Sequence, residues 1–268
     1  MPSAFLEDRG VVRVAGVDAR GFLQGLVSCD MDKVSPDSAA YGALLTPQGK
    51  IVCDFIVSME GGAFDLDCPR ALAADLAKRL RFYKLRAKVE IADVSETLGV
   101  VATWGEPSGG VRDPRRLDMG ARKIVERAGQ AADAAERAAY TALRMARIVP
   151  EGGADFAYGD AFPHEANLDL LNGVDFKKGC YIGQEVVSRV EHRGSARKRI
   201  ARAEFEGEAA AGAVLMAGDI EIGTLGATAP GMALAMVRVD RAQEATAAGT
   251  PITIEGRHAT LALPEKRG

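Results

Sequence analysis

The chain has 268 residues, 47% of them apolar and 26% charged, with a formal net charge of -3. That length supports a large core and more than one domain, and the composition excludes fibrous and disordered classes. The slightly acidic balance excludes a chain dominated by nonspecific nucleic-acid binding, while leaving room for a local basic face.

The first nine residues, Met1 to Arg9, show neither a basic segment with a long apolar core nor an Arg-rich, acid-poor transit pattern, so a cytoplasmic protein is expected. Val11 to Val14 reads as a short strand. Asp18 is placed to cap a helix, with Phe22, Leu23 and Leu26 on one face. Strands follow at Tyr41 to Leu45, Ile51 to Val57 and Ala63 to Asp67, with Thr46-Pro47-Gln48-Gly49 and Glu60-Gly61-Gly62 as turns. After Pro69 the spacing of Leu72, Leu76 and Leu80 predicts an amphipathic helix. It ends in a basic run, Lys78, Arg79, Arg81, Lys84, Arg86 and Lys88, which reads as a solvated helix end or as a set of phosphate contacts.

Val89 to Ala92 and Val100 to Trp104 continue the strand pattern, and 106–136, poor in large apolar residues, reads as a surface excursion. Tyr140, Leu143 and Ile148 restore a helix that runs towards Pro150. Beyond Arg199 come short strands separated by glycine: Arg202 to Phe205, Val214 to Ala217, Ile220 to Thr224, Ala233 to Val239, Ile252 to Ile254 and Leu261 to Leu263. They predict a small all-β module. No apolar run reaches the roughly 18–20 residues that span a bilayer.

Cys29, Cys53, Cys68 and Cys180 are far apart, and His164, His192 and His258 show no metal-ligand spacing, so no disulfide framework or local metal site is written in the chain. Phosphate-binding glycine loops are also missing from the sequence. Lys178-Gly179-Cys180-Tyr181-Ile182-Gly183-Gln184-Glu185 stands out, because it sets one thiol between two glycines among cations, a setting that cysteine chemistry uses. A buried cysteine packing as a small hydrophobe is the competing reading. If a helix begins near Gly183, Glu185 and Arg189 share a face as an i, i+4 pair. Asp54 is a carboxylate inside an apolar strand, either functional or on the solvent side of an edge strand. Glu165, in Phe162-Pro163-His164-Glu165-Ala166-Asn167, offers a carboxylate for paired donors or a helix cap.

The segment Lys178 to Glu185 with Arg189 resembles the signature of the YgfZ-type proteins. These are folate-binding relatives of the glycine cleavage aminomethyltransferase (T-protein) that assist iron–sulfur cluster assembly. Gly16 to Ala19, Phe22 to Leu26, Leu44 to Ile51, His164 to Asp169 and His192 to Arg199 extend the resemblance over most of the chain. It implies an α+β, three-domain T-protein-like fold: a discontinuous folate-binding domain (1–45 plus 138–198), a ferredoxin-like α+β domain (46–137) and a C-terminal β-barrel (199–268). It implies tetrahydrofolate or a one-carbon derivative as cofactor, without a permanently bound metal, and iron–sulfur client or carrier proteins as partners of a monomer. Neither a membrane nor RNA is expected as partner. Cys180 and Asp54 are then the reactive groups, and Glu165, Asn167, Lys178, Tyr181, Gln184 and Arg189 the folate-binding ones. T-proteins lack the cysteine element. The alternatives are a tetrahydrofolate-dependent aminomethyl or one-carbon transferase centred on Asp54 and Glu165, and a folate-responsive partner of RNA modification using the Lys78 to Lys88 run.

Overall fold

The computed structural model describes residues 2–106, 109–194 and 196–264; Ser195, within the basic continuation of the signature, lies outside the described residues. In chain order the first elements are β1 (Ser3–Phe5), β2 (Arg9–Ala15), α1 (Ala19–Gln24), β3 (Ala40–Leu45), β4 (Ile51–Glu60), β5 (Ala63–Pro69) and α2 (Arg70–Tyr83). Then come β6 (Glu90–Asp93), β7 (Leu98–Thr103), β8 (Val111–Arg112), β9 (Ala121–Glu126), α3 (Ala134–Ala146) and α4 (Gln184–Arg193). The C-terminal part holds β10 (Lys198–Phe205), β11 (Val214–Ala217), β12 (Ile220–Ala229), β13 (Met232–Arg238), α5 (Val239–Ala248), β14 (Ile252–Ile254) and β15 (Arg257–Ala262).

Period-two alternation builds the central sheet, whose order is β3-β4-β5-β2-β6. On β4, Cys53, Phe55 and Val57 face the helical layer, where α2 buries Ala73, Leu76, Ala77 and Leu80. Each leucine so buried contributes roughly 2 kcal/mol. Ile56, one residue out of phase, enters a second cluster with Tyr41, Val100, Tyr140, Phe156, Tyr181 and Val187. This core is shared with a four-stranded sheet, β1-β7-β9-β8.

The segment 106–136 is a surface excursion only in part, since 128–136 is exposed. It contributes β8 and β9 to that second sheet, with Asp113, Arg115, Met119 and Arg122 buried. Its poverty in large apolar side chains misleads because burial there rests on ion pairs: Arg115 holds Asp113 at 2.7 Å, and Arg122 reaches across to Asp67 on β5 at 2.5 Å. The expected boundary at 45/46 therefore runs between paired strands, since β3 and β4 are neighbours in one sheet, and the boundary at 137/138 falls inside α3.

The C-terminal strands close into a six-stranded barrel, β10-β13-β12-β11-β14-β15. It also carries α5, a helix the strand reading omitted, which buries only Ala242 and Ala245 and so shows no large apolar stripe. Polar ties seat the barrel on the rest, among them Arg202 Nη1 donating to Ala146 O at 2.7 Å, Asn167 Nδ2 to Ile200 O at 2.8 Å, and Ala227 N to Asp155 Oδ1 at 2.8 Å. No described helix is long and apolar enough to cross a membrane.

Candidate functional site

Cys180 lies on a loop fastened on both sides of the thiol. Before it, Asp175 Oδ1 accepts from Lys177 N at 2.8 Å and Lys178 N at 3.0 Å, while Asp175 Oδ2 pairs with Lys33. Lys178 bends back to donate from Nζ to Val27 O at 2.7 Å and Cys29 O at 2.6 Å, with its ammonium over the Tyr181 ring. After the thiol, Tyr181 is 7% exposed and anchors the loop in the core. Burial lowers the Lys178 pKa and pushes the Tyr181 hydroxyl up to about 12. Thus Lys178 and Tyr181 act here as anchors, and the loop between them leaves Cys180 exposed.

The other three cysteines are buried, and burial raises the Cys29 thiol to about 12 despite Lys178. One thiol per native chain therefore reacts rapidly with iodoacetamide, at Cys180, and all four after denaturation. Intact-mass and peptide mapping check this; rapid native labelling of a second cysteine would contradict it.

Gly183, at φ +80°, starts α4, so Gln184 opens the helix; Glu185 and Arg189 form the expected i, i+4 pair at 2.7 Å. Both partners are largely exposed, so the pair adds well under about 1 kcal/mol.

Asp54 is on an interior strand and 4% exposed, which excludes the solvent-facing edge reading. Its carboxylate accepts from Tyr41 Oη at 2.9 Å and from Tyr158 Oη. Burial, then the Asp54 charge, raises the pKa of both tyrosines, so both stay protonated donors. The carboxylate is enclosed by these two hydroxyls.

A cleft of about 600 Å³ opens between the Pro114 to Leu117 segment, Arg147, Ile148 and the Asp169 to Asn172 turn. Asn167 lines it at φ +60°, with Nδ2 committed to Ile200 O; its Oδ1 is buried and has no hydrogen-bond partner among the described residues. A buried amide oxygen without a donor is costly and fits a ligand N–H. Arg116 and Arg147 supply positive charge at the same cleft, shared with Asp118. Glu165 is not among the residues lining it. Its Oε2 accepts from Phe162 N at 2.9 Å, a local cap, and its backbone oxygen accepts from Ile200 N. The structure thus divides the expected residues among the core (Asp54), the cleft (Asn167), the cap beside it (Glu165), the thiol loop (Lys178, Cys180, Tyr181) and α4 (Gln184, Arg189).

The spacing argument against metal ligands missed one grouping. His164, Asp169 and Glu191 offer donor atoms within 4.8 Å of one another, from a loop and from α4. His164 Nε2 lies 3.4 Å from Glu191 Oε2, and burial lowers the imidazole pKa towards the neutral form. Asp169, however, is held by both terminal nitrogens of Arg199, at 2.9 and 2.8 Å, so its charge is already compensated. Partners 5 and 27 residues from His164 leave no local spacing to read.

Comparison with known proteins places these features. A family model described as the C-terminal beta-barrel domain of CAF17 matches residues 197–267, the six-stranded barrel. The iron-sulfur cluster assembly factor IBA57 homolog, mitochondrial, of Mycosarcoma maydis is 34% identical over 223 residues, covering 74% of this chain and 55% of that protein. The mitochondrial IBA57 factor of Mus musculus is 33% identical over 235 residues, covering 75% of this chain and 66% of that protein. The chain thus spans between about half and two thirds of these relatives. The crystal structure of glycine cleavage system aminomethyltransferase T from Bartonella henselae matches with a TM-score of 0.76 over 99% of this chain and 86% of that one, at 17% identity, which shows the fold.

The relatives correct the cytoplasmic expectation. They are named as mitochondrial proteins, and the composition of nine N-terminal residues is no measure of location. By sequence and by fold, the chain belongs to the YgfZ-like family that includes the IBA57 homologues, built on the aminomethyltransferase fold and ending in a CAF17-type β-barrel.

Proposed function

We propose that this protein is an accessory factor of iron–sulfur cluster assembly that binds a folate in the cleft and presents Cys180 to a cluster, a persulfide or a client protein. The observation that carries the reading is the Cys180 loop, anchored through Lys178 and Tyr181 so that one thiol projects into solvent while three are buried. The matched relatives are named iron-sulfur cluster assembly factors, which supports the same direction. For the folate, the unpartnered Asn167 Oδ1 would accept from pterin N–H groups, and Arg116 and Arg147 would hold the glutamate carboxylates. Bound folate would bring one-carbon carrier chemistry to the cleft.

A transferase centred on Asp54 is less well supported, because that carboxylate is enclosed by Tyr41 and Tyr158 and is not among the cleft residues. Gene deletion in the host, with return of wild type or Cys180→Ser, separates the readings. The assembly role predicts that aconitase-type four-iron activity falls and that only wild type restores it. Loss confined to glycine cleavage, restored by Cys180→Ser, would overturn it. Tetrahydrofolate titration of the purified chain tests the cofactor: Asn167→Leu should weaken binding at least tenfold, and an unchanged affinity removes the cleft from the proposal.

A further inference from the structure

The end of α2 carries a feature that neither the thiol loop nor the cleft uses. Phe82 is 80% exposed and Leu85 90%, and Val17, on the facing turn, is 86% exposed. The two segments are stapled together: Lys88 N donates to Asp18 Oδ2 at 2.7 Å, and Asp18 N to Lys88 O at 3.5 Å. Leu85 stands at φ +44°, a conformation a leucine adopts at an energetic cost, and here it carries the side chain away from the protein. Scattered exposed apolar residues are ordinary, but here three large ones stand on two segments that Asp18 and Lys88 tie together.

The charge around the patch is positive. Lys84, Arg86 and Lys88 alternate with the apolar positions, and none of their side chains has an ion-pair partner among the described residues. Nearby acids are Asp18, engaged by the Lys88 backbone, Asp75, paired with Arg79, and Glu90. Arg81 is tied to Ile91 O.

We propose that this tip is a peripheral docking surface for an anionic lipid bilayer. Side chains exposed by 80–90% stand clear of their neighbours, so the surface is a protrusion and not a groove. A bilayer interface accepts such a protrusion without a preformed complementary pocket, and its anionic headgroups match the fringing lysines and arginine. One such signal alone gives only marginal membrane binding, and apolar insertion with a basic fringe supplies two.

The test is sedimentation of the full chain with phosphatidylcholine vesicles, with and without phosphatidylglycerol. Binding is expected to the anionic vesicles alone, to fall at high salt, and to weaken about fivefold for each of Lys84, Arg86 and Lys88 replaced by alanine. Phe82→Ser with Leu85→Ser should reduce binding at least tenfold with an unchanged melting temperature, since both side chains lie in solvent. Leu85→Trp should show a blue-shifted emission on anionic vesicles. Failure to sediment with anionic vesicles, equal binding to neutral ones, or an unshifted Leu85→Trp spectrum overturns the proposal. So does a serine variant that keeps vesicle binding but loses a purified acidic carrier protein, which would assign the tip to a protein partner.

Discussion

Asp67→Ala lowers the unfolding free energy by about 3–5 kcal/mol in urea denaturation, whereas Asp75→Ala lowers it by less than about 1 kcal/mol. Both remove a carboxylate from an arginine, and only burial separates them. Asp67 accepts from Arg9 Nε at 2.6 Å and Arg122 Nη1 at 2.5 Å, with all three side chains under one-tenth exposed. Asp75 and Arg79 are each about half exposed. Removing Asp67 leaves two guanidiniums short of their counter-charge between the two sheets, and that stranding is where the energy goes. A triple replacement, Arg9→Met with Asp67→Leu and Arg122→Met, should therefore recover much of the loss. Equal costs for Asp67→Ala and Asp75→Ala would overturn this account.

The same network sets the acid limit of stability. Burial alone would raise the carboxyl pKa values, but Arg9 and Arg122 outweigh it at Asp67, and Arg115 and Arg122 hold Asp113 at about 2. Arg144 and Arg137 likewise hold Glu151 at about 2. With folded-state pKa values below the unfolded 3.8 and 4.5, the native state binds fewer protons in that range. Its contribution to stability is complete above about pH 4.5 and is lost as the pH falls towards about 2. Asp67→Ala should flatten this acid limb.

These residues also mark the limit of what was legible in the sequence. Strands β3, β4 and β5 and helix α2 follow from period-two and helical spacing, and a C-terminal all-β module from glycine-separated strands, whereas its closure into a barrel came from the family resemblance. Strand β9 escaped because Arg122 is buried by Asp67, 55 positions earlier, and pairing across such a separation leaves no local pattern. Asp54 could be recognised as a costly charge, but not its partners Tyr41 and Tyr158, 13 and 104 positions away. The Glu185–Arg189 pair depends on near neighbours and was readable. Lys178 and Tyr181 also anchor the loop, a part that an amphipathic side chain next to a thiol reveals only once its surroundings are placed: Val27 and Cys29 for Lys178, the core for Tyr181. Asn167 shows its character only through an oxygen left without a donor.

The glycines of the thiol segment differ in the same way, and substitution makes the difference measurable. Gly183→Ala should destabilise the protein by about 2 kcal/mol or more, and Gly179→Ala by less than about 0.5 kcal/mol. Gly183 adopts φ +80°, and a Cβ there would lie 2.5 Å from Thr46 O, 3.0 Å from Gly49 Cα and 3.1 Å from Leu45 Cβ. These are mostly backbone or core atoms that cannot swing aside, so strain adds to a dihedral that alanine adopts poorly. Gly49 is the reciprocal half of the contact: it turns at φ +81°, and a Cβ on it would come within 3.0 Å of Val186 Cβ. The turn after β3 and the start of α4 therefore meet nearly backbone to backbone, and this contact positions the helix that follows Cys180. A Cβ on Gly179 would meet nothing within 4 Å. Thermal denaturation should show Gly183→Ala melting at least about 4 °C lower. The rate of Cys180 alkylation should change with it, because the loop loses its downstream support, whereas Gly179→Ala should keep the wild-type rate within about twofold. If Gly183→Ala kept both the melting temperature and the alkylation rate, the β3 turn would have no part in holding the thiol loop.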